Sequence, residues 1–109
     1  MVDASIKVGD KGTRFQAVIE EEDANGTHSI IDLSQTDQQV MQIVRPGRTS
    51  VDEFTASIIG PSINGLIEYK NTNAAFLDKP GQIKWRGKVR FTATQDIFYG
   101  EWIYDKVTK

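Results

Sequence analysis

The chain has 109 residues, of which 39% are hydrophobic, and this suits one core and a single domain that we expect to span residues 1–109. It contains no cysteine, which excludes disulfides, thiolate zinc sites and a cysteine nucleophile. A net charge of −2 gives no overall attraction to nucleic acid or to a membrane, and no apolar run reaches the ~20 residues of a transmembrane helix. The first residues lack the basic and apolar regions of a secretory signal, so we expect synthesis in a cytoplasm.

Alternating apolar residues predict strands in the first two thirds of the chain. Phe15, Ala17 and Ile19 share one face of a strand over residues 13–19, and Asn25-Gly26 predicts the turn after it. A short helical or turn segment is expected over residues 34–39. Further strands are expected over residues 29–33, 40–44, 54–58 and from 67 onward, bounded by Pro46-Gly47, Gly60-Pro61 and Asn64-Gly65.

The last third contains the clearest strand, after a loop expected over residues 70–78. Between residues 83 and 91, apolar side chains alternate with cationic ones. Gly87 falls on the apolar face, where it would leave space for a large ring from the opposing sheet. A final strand is expected over about residues 97–107, but the sequence does not settle which of its faces is buried. Phe98, Trp102 and Tyr104 fall on one face, and Tyr99, Ile103 and Val107 fall on the other.

No segment repeats its apolar residues with the period of a helix. Seven or eight short strands with turn signals between them predict an all-β fold, an immunoglobulin-like sandwich of two antiparallel sheets. We expect its core to contain Phe15, Ile31, Leu33, Tyr69, Trp85, Val89 and Phe91.

We expect that the protein is not an enzyme and that it holds no metal ion or cofactor. His28 is the single histidine and sits beside a hairpin turn, where a surface role is expected rather than catalysis. The acidic run over residues 20–23, followed by Asn25, begins like a calcium loop, but Ser34 stands where such a loop needs a glutamate. A solvated hairpin tip is the preferred interpretation.

The sharpest local feature is a row of four cations, Lys84, Arg86, Lys88 and Arg90, on one face of the clearest strand. Three interpretations remain open. The row is neutralised within its own sheet by carboxylates such as Glu68, Glu101 or Asp105; it is a protein–protein contact; or it follows a phosphate backbone. Nucleic acid is the least favoured, because stacking rings are expected on the opposite face.

Charge is also segregated along the chain. Residues 1–78 carry six cations and twelve anions, whereas residues 79–109 carry seven cations and three anions. Such a separation favours association between copies or docking on another subunit, unless the two regions neutralise each other in the fold. Edge strands of a small sandwich also attract partners. We therefore expect a homo-oligomer or a docked subunit, with the basic row as the candidate contact.

Five short sequence motifs, in order along the chain, resemble motifs of a known family. They are Gly12-Thr13-Arg14-Phe15, Asp32-Leu33-Ser34, Arg45-Pro46-Gly47, Gly65 to Tyr69, and Pro80-Gly81 to Trp85. Together they resemble the immunoglobulin-like domain that opens phage baseplate upper proteins and recurs in small phage virion proteins.

The resemblance implies a structural component of a phage particle: a tail, baseplate, neck or capsid-surface protein that contacts other virion proteins. Its location would be the virion, after synthesis in the host cytoplasm. The alternative is a carbohydrate- or ligand-binding sandwich in which exposed rings such as Tyr99, Trp102 or Tyr104 stack on sugars.

Overall fold

A computed structural model of the protein describes residues 6–109. Met1–Ser5, where no secretory signal is expected, lie outside the described residues. Two short 3-10 helices, Leu33–Gln35 and Ser62–Asn64, interrupt an otherwise all-β chain. The strands are β1 (Ile6–Lys7), β2 (Arg14–Val18), β3 (Glu20–Glu22), β4 (His28–Ile30), β5 (Thr36–Val44), β6 (Asp52–Thr55), β7 (Ser57–Ile58), β8 (Leu66–Lys70), β9 (Gly81–Phe91), β10 (Ile97–Tyr99) and β11 (Ile103–Thr108).

Two packed sheets and a separate two-stranded hairpin make up the described residues, which confirms the predicted all-β sandwich. The larger sheet has the order β1-β11-β9-β5-β6, with β10 also paired to β9. The smaller sheet has the order β2-β8-β7, and the hairpin of β3 and β4 continues from β2. The pairings are antiparallel except for β1, which runs parallel to β11. The larger sheet is therefore mixed at one edge.

The described residues contain eleven strands, where seven or eight were predicted, because β1 precedes the first predicted strand and because breaks divide several longer extended runs. Ile19 separates β2 from β3. Ala56 separates β6 from β7, and at this buried residue the chain crosses from the larger sheet to the smaller one.

Five of the seven predicted core residues are buried: Phe15, Ile31, Leu33, Trp85 and Val89. The other two, Tyr69 and Phe91, are half-buried rings at the margin of the core, so the prediction overestimated their burial. Tyr69 stacks on Phe54 with ring centroids 4.2 Å apart, and Phe91 meets Phe98 edge to face at 5.2 Å. Aromatic pairs thus line the margin of the core.

Gly87 does lie at a crowded point of the core, but no ring occupies the space. A Cβ on Gly87 would collide with the Cδ1 atom of Ile19 and lie 2.9 Å from the Cδ1 atom of Ile67. Aliphatic side chains from β8 and from the end of β2 therefore fill the position that we expected an aromatic ring to take.

Residues 71–80 form a loop, close to the predicted bounds of 70–78, but the loop contributes to the core. Phe76 and Leu77 are buried, and Asn71 is 0% exposed. The Nδ2 atom of Asn71 donates to the carbonyl oxygens of Asp10 and Asn73, and its Oδ1 accepts from the Asn73 amide. This buried amide holds the loop against the start of the chain.

Candidate functional site: a cation–aromatic face

The four predicted cations lie on the outer face of the larger sheet. Each is partly exposed, and each lies opposite a residue of β5 or of the strand on the other side of β9. The alternate residues of β9, from Ile83 to Val89, face the core. The sequence therefore placed the row correctly on the strand and on the face.

An irregularity between β10 and β11 brings aromatic rings onto this face. Tyr99 pairs with Lys88, and Ile103 pairs with Trp85. The segment from Tyr99 to Ile103 therefore advances four residues while β9 advances only three. The extra residue is a β-bulge, and it reverses which side chains face outward. Tyr99, Trp102 and Tyr104 consequently share the outer face, while Phe98, Ile103 and Val107 share the inner one.

The bulge corrects two predictions from the sequence. The two sets of residues proposed for the last strand assumed one unbroken alternation, which the bulge interrupts. Stacking rings were expected opposite the basic row, whereas Tyr99 and Trp102 lie among its cations. The signal for this exception was Gly100, since glycine within a strand pattern often marks a bulge.

Cations and rings alternate along the face. Lys84 Nζ lies 4.5 Å from the ring centroid of Trp102, and the Arg86 guanidinium lies 4.4 Å from that ring and 4.3 Å from the ring of Tyr99. Lys88 Nζ lies 6.0 Å from Tyr99. Each such contact contributes about 0.5–1 kcal/mol at an exposed site, so the rings hold the cations in place while leaving their charge intact.

Two cations of the row are paired with carboxylates of the same sheet. Arg90 Nε donates to Asp37 at 2.9 Å, and this hydrogen bond lowers the pKa of Asp37. Lys88 Nζ lies 3.5 Å from Glu53. The pKa of Glu53 is lowered as well, first by a hydrogen bond from Gln42 and then by the charge of Lys88. This end of the row is neutralised internally.

The carboxylates that neutralise the row are not those proposed from the sequence. Glu68 lies in the smaller sheet, where it accepts from Arg14 at 2.7 Å and from Gln16 at 2.9 Å. Neither Glu101 nor Asp105 forms an ion pair with a cation among residues 6–109. Sequence could not find Asp37, because it stands at a register shift in β5.

The other end of the row keeps its charge. Within the described residues, Lys84 has no carboxylate partner, and Arg86 donates its Nε hydrogen to the neutral Oε1 of Gln42 at 2.8 Å. Exposed rings surround these cations, with Tyr99 47% and Tyr104 56% exposed. We name Lys84, Arg86, Tyr99, Trp102 and Tyr104 the cation–aromatic face.

Nothing comparable surrounds His28. Its Nδ1 lies 3.4 Å from Glu20 and its Nε2 lies 3.9 Å from Glu22, on an exposed hairpin. The carboxylate of Asp23 accepts from the amides of Asn25 and Thr27, which explains the acidic turn as local structure. Residues 6–109 hold no group of three or more histidine and acidic side chains suited to a metal ion.

Comparison with known proteins does not identify the chain. No known protein family matches it, and neither does any curated protein sequence. Over the part of the chain that the structure describes, no helix has the length and apolar character to cross a membrane.

Proposed function

We propose that the protein is an interaction component of a phage particle and that it contacts other virion proteins through the cation–aromatic face. One observation carries the binding role: Lys84 and Arg86 are fixed by Trp102 but are not neutralised by any described carboxylate. Cations that are already ordered lose little side-chain entropy when they meet a carboxylate of a partner. Rings and arginine are also the residue types enriched in protein interfaces.

The assignment to a phage particle depends on the resemblance of the ordered motifs, among them Asp32-Leu33-Ser34 and Arg45-Pro46-Gly47. The structure gives these motifs physical roles that any sandwich could use. The Asp32 carboxylate accepts from the Ser34 amide at 3.0 Å, and Gly47 takes a φ of 76° in its turn. The sequence motifs are therefore what supports the proposed location in the virion, whether in the tail, the baseplate, the neck or the capsid surface.

A pair of charge reversals tests the binding role. In K84E, incorporation into particles, or co-purification with the products of adjacent capsid and tail genes, should fall at least about tenfold, equivalent to about 1.4 kcal/mol. Thermal stability should fall only slightly, by about 0.5–1 kcal/mol, because Lys84 loses its contact with Trp102 but has no described carboxylate partner. R90E is the matched control: it breaks the pair with Asp37 and should lower stability while incorporation of the folded protein continues.

The opposite pattern would refute the proposal. If K84E and the ring variant Y104S both assemble as well as the parent protein, the cation–aromatic face is not the contact. The virion assignment would instead be contradicted if phage particle proteins do not bind this chain and if no capsid or tail genes lie beside its gene.

A carbohydrate-binding role is the second candidate, because Tyr99 and Tyr104 are exposed. The contacts of the rings favour it less. Cations already contact Tyr99 and Trp102, so a sugar that stacks on these rings would compete with Arg86 or Lys84 for ring surface. Tyr104 is the ring of this face without such a cation among the described residues. A change in Trp102 fluorescence on adding glycans would favour this candidate; an unchanged spectrum would not.

A further inference from the structure

One side of the sandwich is open and forms a cleft of about 870 Å³. One wall is formed by residues of β2 and of the adjoining hairpin, and the other by residues from Phe98 to Ile103 of the larger sheet. β2 is the first strand of its sheet, so it pairs with β8 on one side and with no described strand on the other. The cleft thus runs between the free edges of two sheets.

The edge of β2 presents backbone groups to this cleft. The Ile19 amide donates to the Gly65 carbonyl, and the Asn71 amide donates to the Thr13 carbonyl. Odd-numbered residues of this run therefore exchange hydrogen bonds with β8, and the intervening Gln16 and Val18 point their backbone groups the other way. The Gln16 carbonyl accepts from Trp85 Nε1 at 3.0 Å, whereas the amides of Gln16 and Val18 have no described backbone acceptor.

The side chains around the cleft are of two kinds. Glu20, Glu21, Glu22 and Glu101 line it together with His28, and the lining contains no lysine or arginine. Apolar side chains lie between these carboxylates, including Val18, which is 47% exposed, and Ile103, which is 37% exposed. The cleft therefore combines negative charge, apolar contact area and unpaired backbone donors.

We propose that the cleft binds an extended peptide segment that adds to β2 as a further strand and carries lysine or arginine at alternate positions. Strand addition accounts for the unpaired amides of Gln16 and Val18, since main-chain hydrogen bonds provide affinity in this mode. Alternation follows from the geometry of a strand, whose successive side chains point to opposite sides. The four glutamates select cations over anions. Lys84 and Arg86 do not line this cleft, so the inference does not depend on the proposed function.

Residue-resolved amide exchange tests the proposal with a synthetic probe, a capped decapeptide of alternating lysine and valine. At a concentration about ten times its dissociation constant, the peptide should slow exchange of the Gln16 and Val18 amides about tenfold. Exchange of the Phe15 and Ala17 amides, which already donate to β8, reports the overall stabilisation that a bound ligand adds and is measured beside them. Exchange rates that do not change at Gln16 and Val18 would overturn the proposal.

Two matched peptides and two variants separate strand addition from general attraction. The same peptide with N-methylated amides should not bind, and neither should a peptide of alternating glutamate and valine. E20K/E22K should weaken binding of the lysine peptide, whereas D96K/D105K, an equal change of charge at two carboxylates outside the cleft, should leave it unchanged. Binding that survives N-methylation would show attraction without strand pairing and would contradict the inference; loss of binding in D96K/D105K would do the same.

Discussion

Trp85 joins the two sheets through both packing and a hydrogen bond. The residue is 8% exposed, its ring meets Phe15 edge to face at 5.1 Å, and its Nε1 donates to the Gln16 carbonyl at 3.0 Å. We expect W85A to lower the free energy of unfolding by about 3–5 kcal/mol, as deletion of a large buried ring does. Denaturant unfolding followed by circular dichroism measures this.

The variant W85F separates the two contributions of Trp85. It keeps a ring against Phe15 but cannot donate to Gln16, so it should retain much of the stability that W85A loses. Equal losses in the two variants would mean that the indole hydrogen bond, and not ring packing, dominates at this position.

Asp78 provides a residue-level prediction on pH. Two hydrogen bonds of 3.0 Å from Arg48 lower the pKa of Asp78 to about 2. An unfolded aspartate has a pKa of about 3.9. Because the folded pKa is the lower one, the pair stabilises the protein above about pH 4, and its contribution disappears as the pH falls towards 2.

The variant D78N makes this contribution measurable. At pH 7 it should melt at a lower temperature than the parent, and the difference should shrink between pH 4 and pH 2. Subtracting the two melting curves removes the parallel titration of Asp37, Glu53 and Glu68, whose pKa values are lowered by other partners. A difference that stays constant across this range would contradict the assignment.

At the level of elements, the approach of β9 to the smaller sheet depends on Gly87. A Cβ at this residue would collide with Ile19 and crowd Ile67, so G87A should be overpacked and lose about 1–3 kcal/mol of stability. G100A is the matched control, because its nearest neighbour would be Ile19 Cδ1 at an ordinary 3.4 Å. Urea midpoints of the two variants test the prediction, and a G87A midpoint equal to that of G100A would show that the core yields at this point.

The strands that sequence predicted best are those whose apolar alternation is unbroken. β9 follows its pattern over eleven residues, and the burial of alternate positions matches it. The segment from Ile97 to Val107 could not be assigned in this way. The bulge near Gly100 changes which alternate residues face the core, and the apolar residues of the segment give no sign of that change. The burial of Phe76 and Leu77 was missed for a related reason: a loop has no period from which burial can be inferred.

The same limit applies to the candidate site. Sequence located the basic row, since its four cations lie two residues apart on one strand. It could not show that Trp102 contacts Lys84, or that Asp37 neutralises Arg90, because both contacts follow from register shifts between strands. The division of the row into a neutralised end and a charged end is therefore a property of the fold.

At the scale of the whole molecule, the two proposed surfaces differ in charge. The cation–aromatic face is positive near Lys84, and the cleft is lined by glutamates. The two surfaces adjoin, because Tyr99 contacts Arg86 and also lines the cleft. A molecule with neighbouring surfaces of opposite charge can attract a second copy of itself as well as other partners.

This arrangement predicts association that depends on salt. At low ionic strength, where the Debye length is about 30 Å at 0.01 M, sedimentation should show species larger than the 12.2 kDa chain. At about 1 M salt the Debye length falls to about 3 Å, and the larger species should dissociate. K84E should weaken association at low salt, whereas K70E, an equal change of charge at the exposed end of the central strand of the smaller sheet, should not. A single-chain mass at every salt concentration would contradict self-association.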